Sequence, residues 1–245
     1  ADASIACIIL RGSGDKAFCA GGDVVRLHQS AVSGDDYAAT FFEQEYRLDY
    51  LIHTLTKPII VWGHGIVMGG GMGLLSGASH RVVTAQTRLG MPEVTIGLYP
   101  DVGGTWFLNR APGRTGLFLA LTGASINASD TLFLGMADRF VDHAQLPQLI
   151  AALQAQSWSN PGLAHKHVSD ILRTLEASAG ARPPQVVRDH YDWIQQATDG
   201  ASIDEIVTKL TAYDGDDAWL RKAAETLASG CPTTIHLIDQ QLKRG

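Results

Sequence analysis

The sequence predicts an α/β protein with a largely parallel β-sheet, followed by a region made of helices. Short apolar runs rich in β-branched residues, such as residues 5–10 (IACIIL) and 59–62 (IIVW), are typical of buried strands. A helical pattern lies between these two runs, and the order strand, helix, strand implies a right-handed crossover between parallel strands. After about residue 143 the patterns are helical, so we divide the chain into residues 1–142 and 143–245.

The elements of the first region follow from local patterns. A helix is predicted between the first two strands, because apolar residues recur there three to four positions apart or in multiples of that spacing. These residues are Tyr37, Phe41, Leu48, Ile52 and Leu55. Further strands are predicted over residues 81–84 and 87–91, and a turn over 98–101. Helices are predicted over residues 72–78, 114–122 and 128–134, the last with Asn127 as its N-cap and Gly135 at its end.

The second region contains six predicted helices. They cover residues 146–156, 162–177, 184–197, 203–213, 218–228 and 234–242. Pro232 lies where the first turn of the last helix would begin, a position that proline favours. The loops over residues 180–184 and 214–216 each separate two of these helices.

The composition excludes several classes of protein. Hydrophobic residues make up 45% of the 245 residues and charged residues 18%, which is enough apolar material for a substantial core. The net charge of −6, without a basic cluster, argues against a nucleic-acid-binding protein. No apolar run reaches the roughly 18 residues that span a bilayer. The nine histidines show no ligand spacing, so we expect no metal.

Three cysteines form no disulfide framework and suit a reducing compartment. We therefore expect a cytoplasmic protein, or a mitochondrial one if the source is eukaryotic. Cys19 lies beside a glycine-rich turn, but no histidine is near it in sequence. We interpret it as a packed thiol, with a nucleophilic role as the alternative.

Two glycine-rich turns carry the main functional signal. Residues 20–23 (AGGD) form the first, and residues 65–71 (GIVMGGG) lead into a predicted helix. Glycine allows close approach of the backbone to a ligand, and two such turns can direct two N–H groups at one carbonyl oxygen. The alternative interpretation of residues 65–71 is a tight, closely packed turn between a strand and a helix. A nucleotide-binding loop fits poorly, because residues 63–69 have three residues where the dinucleotide fingerprint has two.

Two carboxyl groups follow these turns in a stretch with little other charge. Glu93 and Asp101 lie among apolar residues, glycine and proline, so we expect both to be partly buried. A buried carboxylate is unfavourable unless it is paired or used in chemistry. The alternatives are a helix-terminal or surface position for Glu93 and an ordinary turn position for Asp101. The pair beside two glycine turns indicates an enzyme that acts on an acyl carbonyl.

Four segments taken together resemble the crotonase (enoyl-CoA hydratase/isomerase) superfamily. They are residues 17–23 (AFCAGGD), 57–60 (KPII), 68–71 (MGGG) and 91–93 (MPE). Within it, the chain is most similar to the branch that hydrolyses 3-hydroxyisobutyryl-CoA in valine catabolism. That similarity lies in residues 96–104 (IGLYPDVGG), 119–123 (LALTG), 202–206 (SIDEI) and 231–234 (CPTT). The resemblance implies a crotonase-like spiral of repeated ββα turns with a C-terminal helical region packed against it.

The resemblance also implies roles for individual residues in the hydrolysis of a short 3-hydroxyacyl-CoA thioester. The backbone N–H groups of Gly22 and Gly70 would form the oxyanion hole. Glu93 matches the catalytic glutamate, and Asp101 matches the second acid of the hydrolase branch. The residues expected to line the substrate are Ala20, Gly21, Asp23, Gly69, Gly71 and Gly97. Coenzyme A would enter as part of the substrate, so no separate cofactor is expected.

One departure from the pattern bears on the reaction. Hydratases of the superfamily carry a second glutamate two residues after the triple glycine, where this chain has Gly73. An enoyl-CoA isomerase or hydratase is nevertheless an alternative, and a non-catalytic acyl-CoA binder is another. The expected partner is an acyl-CoA substrate, with neither nucleic acid nor membrane, and a homo-oligomer is left open. Compared with the hydrolase branch, we expect spiral segments before residue 5 and further helices after residue 245.

Overall fold

Eight strands form two four-stranded sheets in the computed structural model. The structure describes residues 2 and 4–245, so Ala1 and Ala3 of the predicted first region lie outside the described residues. The strands are β1 (Ile8–Arg11), β2 (Ala17–Cys19), β3 (Ile59–Gly63), β4 (Ile66–Met68), β5 (His80–Val83), β6 (Arg88–Gly90), β7 (Ile126–Asn127) and β8 (Arg139–Phe140). One sheet has the order β1–β3–β5–β8 and the other the order β2–β4–β6–β7.

Successive strands enter alternate sheets. β1, β3 and β5 pair in parallel in the first sheet, and β2, β4 and β6 pair in parallel in the second. β8 pairs in parallel with β5, whereas β7 runs antiparallel to β6. The chain returns to the first sheet after each pair of strands, and this alternation builds the predicted spiral of ββα turns.

Thirteen α-helices and three short 3₁₀ segments account for most of the remaining described chain. The helices are α1 (Val24–Ser33), α2 (Tyr37–Thr54), α3 (Gly70–Gly77), α4 (Gly104–Asn109), α5 (Thr115–Thr122), α6 (Ala128–Phe133), α7 (Leu146–Ala155), α8 (Ala164–Ala177), α9 (Val186–Asp189), α10 (Tyr191–Ala197), α11 (Ile203–Thr211), α12 (Ala218–Ala228) and α13 (Pro232–Arg244). The 3₁₀ segments are Glu93–Ile96, His143–Gln145 and Pro161–Leu163. In residues 2 and 4–245, no helix is both long and apolar enough to cross a bilayer.

Several predicted boundaries differ from the observed ones. The first strand begins at Ile8, so the strand predicted over residues 5–7 is wrong. The helix predicted over residues 184–197 is two helices, α9 and α10, which meet at His190. Helix α1 was not predicted, although Val24, Leu27 and Ala31 have helical spacing; Ser30 is its only buried residue. The N-cap Asn127 is confirmed, and its side chain accepts hydrogen bonds from two backbone N–H groups of α6.

The strand β3 lies between two apolar clusters and anchors the site. Ile59 and Val61 point into the larger cluster, whereas Ile60 and Trp62 point into a second cluster with side chains of α7 and α8. Strand side chains alternate between faces, so a strand covered on both sides is apolar throughout. The larger cluster extends from Phe18 to Ile238 and joins the spiral to the C-terminal helices. The glycine turn after β4 is therefore held by a well-packed platform.

Candidate active site

The two glycine-rich turns meet in space. β2 and β4 pair in parallel, which brings the loop after Cys19 beside the loop after Met68. A Cβ atom placed on Gly21 would lie 3.4 Å from the carbonyl oxygen of Met68 and 3.9 Å from the amide nitrogen of Gly70. Gly69 adopts a φ of +52°, a conformation that glycine reaches without strain, and α3 begins at the next residue.

Free backbone donors occur in both turns. Within residues 2 and 4–245, neither the N–H of Gly22 nor that of Gly70 donates a hydrogen bond. Gly70 is the first residue of α3, whose N-terminal amides carry the positive end of the helix dipole. Two such turns can bind an oxygen atom that gains negative charge.

Glycine is required at the start of α3 because the backbone of β2 lies close to it. A Cβ atom on Gly71 would lie 2.6 Å from the carbonyl oxygen of Cys19, a contact that real Cβ atoms do not make. Cys19 itself is partly buried and its thiol is free.

Glu93 is buried beside the second turn. It opens the 3₁₀ segment after β6, is 5% exposed, and its Oε1 would lie 3.0 Å from a Cβ atom on Gly69. Its Oε2 has no hydrogen-bond partner among the described residues. Burial, reinforced by the charges of Asp101 and Glu45, raises the pKa of Glu93 to about 7. The carboxyl group is therefore poised to exchange a proton near neutral pH.

Asp101 is held by a tyrosine. The hydroxyl of Tyr46 in α2 donates a hydrogen bond of 2.6 Å to Asp101 Oδ2. Burial raises the pKa of Asp101, and the hydrogen bond from Tyr46 opposes that shift. The next residue, Val102, has a φ of +41°, which is rare for a β-branched residue. That strained turn leads into α4.

One face of α2 lies along the glycine positions. Phe41, Glu45 and Asp49 are spaced four residues apart, so they share a face of the helix. A Cβ atom on Gly22 would lie 2.6 Å from the Phe41 ring, and one on Gly70 would collide with Glu45 Oε1. Asp49 continues this face to the next glycine, because its Oδ1 would lie 3.0 Å from a Cβ atom on Gly73.

Glu45 and Asp49 are site residues that the sequence did not reveal. Burial raises the pKa of Glu45 to about 7, assisted by the charges of Asp101 and Asp49. Burial and the charge of Asp101 likewise raise the pKa of Asp49 to about 7. The predicted apolar face of α2 included Leu48, which is 46% exposed. The four-residue spacing of Phe41, Glu45 and Asp49 is the sequence signal that identifies the face of α2 that packs against the glycine turns.

A cavity of about 520 Å³ lies between α2 and α4. The residues that line it include Asp49, Tyr50, Tyr99, Asp101 and Trp106. Small-molecule sites have volumes in this range and combine apolar walls with a few polar groups. The arrangement is therefore suited to an organic group that carries some polar function.

The remaining predicted substrate-lining residues lie in different settings. Ala20 is exposed in the first turn. Asp23 is the N-cap of α1, and its carboxylate accepts a 3.0 Å hydrogen bond from the Arg26 N–H. Gly97 ends the 3₁₀ segment with a φ of +76°, and a Cβ atom there would lie 3.9 Å from Cys231 Sγ. In the described part of the chain, no three or more His, Cys, Asp or Glu side chains form a metal site.

Comparison with known proteins identifies related chains. The family model for enoyl-CoA hydratase/isomerase matches residues 1–245. The mitochondrial 3-hydroxyisobutyryl-CoA hydrolase of Xenopus tropicalis is 38% identical over 240 residues, which cover 97% of this chain and 61% of that protein. A crystal structure of an enoyl-CoA hydratase from Rhodobacter sphaeroides is similar with a TM-score of 0.82 and 36% identity, over 98% of this chain and 66% of that one.

One relative is named as a ribosomal protein and not as an enzyme. The small ribosomal subunit protein mS47 of Neurospora crassa is 34% identical over 251 residues, which cover 97% of this chain and 49% of that protein. The chain thus spans about half to three fifths of the length of these two curated relatives.

Proposed function

The chain belongs to the enoyl-CoA hydratase/isomerase (crotonase) family, and we propose that it hydrolyses a short 3-hydroxyacyl-CoA thioester similar to 3-hydroxyisobutyryl-CoA. The observation that carries the proposal is the buried Glu93 carboxyl group beside the Gly69–Gly71 turn, with one oxygen lacking a protein partner. The name of the Xenopus tropicalis relative supports this choice of substrate. We further propose a cytoplasmic location, or a mitochondrial one in a eukaryotic cell.

In the proposed reaction the thioester carbonyl oxygen binds between the N–H groups of Gly22 and Gly70. These donors stabilise the negative charge that develops on the oxygen, and loss of one such donor slows acyl-transfer enzymes by on the order of 10²–10³. Glu93 acts in one of two ways. It attacks the carbonyl carbon and expels the CoA thiolate, after which water hydrolyses the acyl-enzyme anhydride. Alternatively, it removes a proton from a water molecule that attacks directly. Both routes release the free acid and CoA.

We propose that Asp101 acts on the acyl part of the substrate. Asp101 lines the 520 Å³ cavity, whose lining does not include Gly22, Gly70 or Glu93, and its carboxyl group accepts the hydrogen bond from Tyr46. It either holds the 3-hydroxyl group of the substrate or assists the transfer of a proton. An oriented acid next to a general base contributes most when both lie within hydrogen-bond reach of the reacting group.

The environment of Gly73 favours hydrolysis over hydration. A Cβ atom at this position would lie 2.5 Å from Val102 Cβ and 3.0 Å from Asp49 Oδ1. A glutamate therefore cannot occupy the position that supplies the second acid in hydratases. An isomerase or hydratase remains the alternative within the family, with Glu93 as its single proton shuttle.

A non-catalytic acyl-CoA binder is the second candidate. The observation that favours it is the ribosomal protein mS47 of Neurospora crassa, whose name denotes a structural component. Binding of a CoA ester without turnover by the full-length protein would support this candidate against the enzyme.

The substitution Glu93→Gln tests the proposal. We expect the full-length protein to release CoA thiol from 3-hydroxyisobutyryl-CoA, and the variant to lose about 10²–10⁴-fold in kcat, as expected for removal of a general base or nucleophile. Crotonyl-CoA and a 3-enoyl-CoA, assayed in parallel, should turn over poorly. Glu43→Gln is the control, because Glu43 is exposed on α2 in an ion pair with Arg47. Nearly unchanged turnover by Glu93→Gln would refute the role of Glu93.

A further inference from the structure

Asp49 holds a carboxyl group that the protein leaves without a partner. Both of its oxygens are buried, and neither has a hydrogen-bond partner among the described residues. An unpaired buried carboxyl group lowers the free energy of unfolding, so it is retained where a ligand completes its hydrogen bonds. Asp49 lines the 520 Å³ cavity, where such a ligand would lie.

The three neighbouring acids differ from Asp49: one accepts a hydrogen bond, and the other two lie beside other glycine residues. Asp101 Oδ2 accepts the hydrogen bond from Tyr46. Glu93 lies beside Gly69, and Glu45 lies beside Gly70, at the proposed carbonyl position. Asp49 is therefore the acid of the cavity lining whose two carboxyl oxygens lack a partner among the described residues.

The position of Asp49 along α2 indicates which part of a ligand it would contact. Glu45 faces Gly70 and Asp49 faces Gly73, so one helical turn separates the two acids. That turn rises about 5.4 Å, which is the reach of a few carbon–carbon bonds. A thioester carbonyl held at Gly70 would thus place a substituent of its acyl chain near Asp49.

We propose that Asp49 determines the specificity for the acyl group by accepting a hydrogen bond from an acyl hydroxyl, which leaves Asp101 to assist the transfer of a proton. The cavity then selects hydroxyacyl-CoA esters over esters of the same shape without the hydroxyl, because an apolar acyl group leaves the buried carboxyl group unpaired. This inference rests on the proposed function for the identity of the ligand as an acyl-CoA.

A pair of non-hydrolysable ligands tests the inference without depending on turnover. The CoA thioether analogues of the 3-hydroxyisobutyryl and isobutyryl esters differ by the hydroxyl group. We expect the full-length wild-type protein to bind the hydroxylated analogue about tenfold to hundredfold more tightly, in line with hydrogen bonds to charged groups. Asp49→Leu should bind both analogues within about threefold of each other, and Asp49→Asn should keep part of the preference, since an amide oxygen still accepts.

Matched measurements separate folding from specificity. Asp49→Leu and Asp49→Asn should melt at temperatures equal to or above that of the wild type, because each removes an unpaired buried carboxyl group. Glu43→Gln, which removes an exposed carboxylate of α2, should keep the wild-type preference.

The outcomes distinguish this inference from the proposed function. An Asp49→Leu variant that folds and keeps the wild-type preference for the hydroxylated analogue would overturn the inference, as would a wild-type protein without that preference. A wild-type protein that shows the preference but hydrolyses neither thioester would overturn the proposed hydrolysis and support the role of Asp49 in binding.

Discussion

The carboxyl groups of Glu45, Asp49, Glu93 and Asp101 all have raised pKa values. Burial is the larger cause for each, and the charge of Asp101 adds to the shift of the other three. Protons in such a cluster are released in coupled steps, so a pH–rate profile reports the group as a whole. Tyr46 lowers the pKa of Asp101 and thereby favours its ionised form.

Replacement of Tyr46 by Phe tests this arrangement. The change removes the hydrogen bond to Asp101 Oδ2, so the pKa of Asp101 rises further. We expect the acidic limb of the kcat–pH profile to move to higher pH and kcat at neutral pH to fall roughly threefold to tenfold. Tyr37→Phe on the same helix is the control, because that ring packs against the Arg26 guanidinium group. An acidic limb that stays in place in Tyr46→Phe would argue against an ionised Asp101 in the reaction.

Sequence reasoning succeeded for residues in unusual local settings. Glu93 and Asp101 stand out because they lie among apolar residues, glycine and proline, which predicts the burial of Glu93 and the partial burial of Asp101 that the structure shows. Glu45 and Asp49 lie in a helix rich in charged residues, where an acid is usually exposed. Their burial depends on the glycine turns that pack against α2, and those contacts are made between distant parts of the chain.

At the scale of elements, the strand β2 and the start of α3 are packed so closely that a methyl group does not fit between them. Gly71→Ala places a Cβ atom 2.6 Å from the Cys19 carbonyl oxygen, so we expect a loss of about 1–3 kcal/mol in the free energy of unfolding. The control is Gly77→Ala at the end of the same helix, where the nearest atom lies 3.5 Å away. There alanine should be neutral or stabilising by about 0.5–1 kcal/mol.

Urea denaturation of both variants provides the measurement. Equal stabilities of Gly71→Ala and Gly77→Ala would show that the backbone of β2 can move away from α3. That result would argue against a rigid pair of turns, since Gly22 lies in the loop after β2 and Gly70 is the first residue of α3.

Elements with strong periodic patterns were predicted well, whereas the short strands β2 and β4 were not predicted. The strand β3, the helix α2 and the helix α12 follow from apolar runs or helical spacing, and α12 has its predicted bounds. The strands β2 and β4 contain three residues each, too few for a periodic signal, and depend on parallel pairing with each other. Residues 20–23 lie in a loop as predicted, whereas residues 65–71 contain β4 and the first two residues of α3, so only part of that segment is a turn. The approach of the two segments depends on the pairing of β2 with β4.

At the scale of the whole molecule, the buried acids make stability depend on pH. The raised pKa of Glu93 means that the folded protein retains this proton between about pH 4.5 and 7, where the unfolded chain has released it. The contribution to stability is complete below the unfolded pKa and is lost as the pH rises through about 7. Glu45 and Asp49 act with the same sign. We therefore expect the protein to become less stable from about pH 5 to about pH 8.

Glu93→Gln isolates one part of this dependence. The amide carries no charge at either pH, so the variant should gain stability relative to the wild type as the pH rises, by on the order of 3 kcal/mol across the range. Urea denaturation at about pH 5 and about pH 8 measures the difference. A stability difference between variant and wild type that is the same at both pH values would contradict the buried position of Glu93.

A crystal structure of the full-length protein with Glu93→Gln and a bound 3-hydroxyacyl-CoA tests the central claim most directly. The account predicts that the thioester carbonyl oxygen lies about 3 Å from the amide nitrogens of both Gly22 and Gly70. It also predicts that the side chain at position 93 lies next to the carbonyl carbon. A carbonyl oxygen that contacts neither amide, or an acyl group bound away from position 93, would contradict the proposed chemistry.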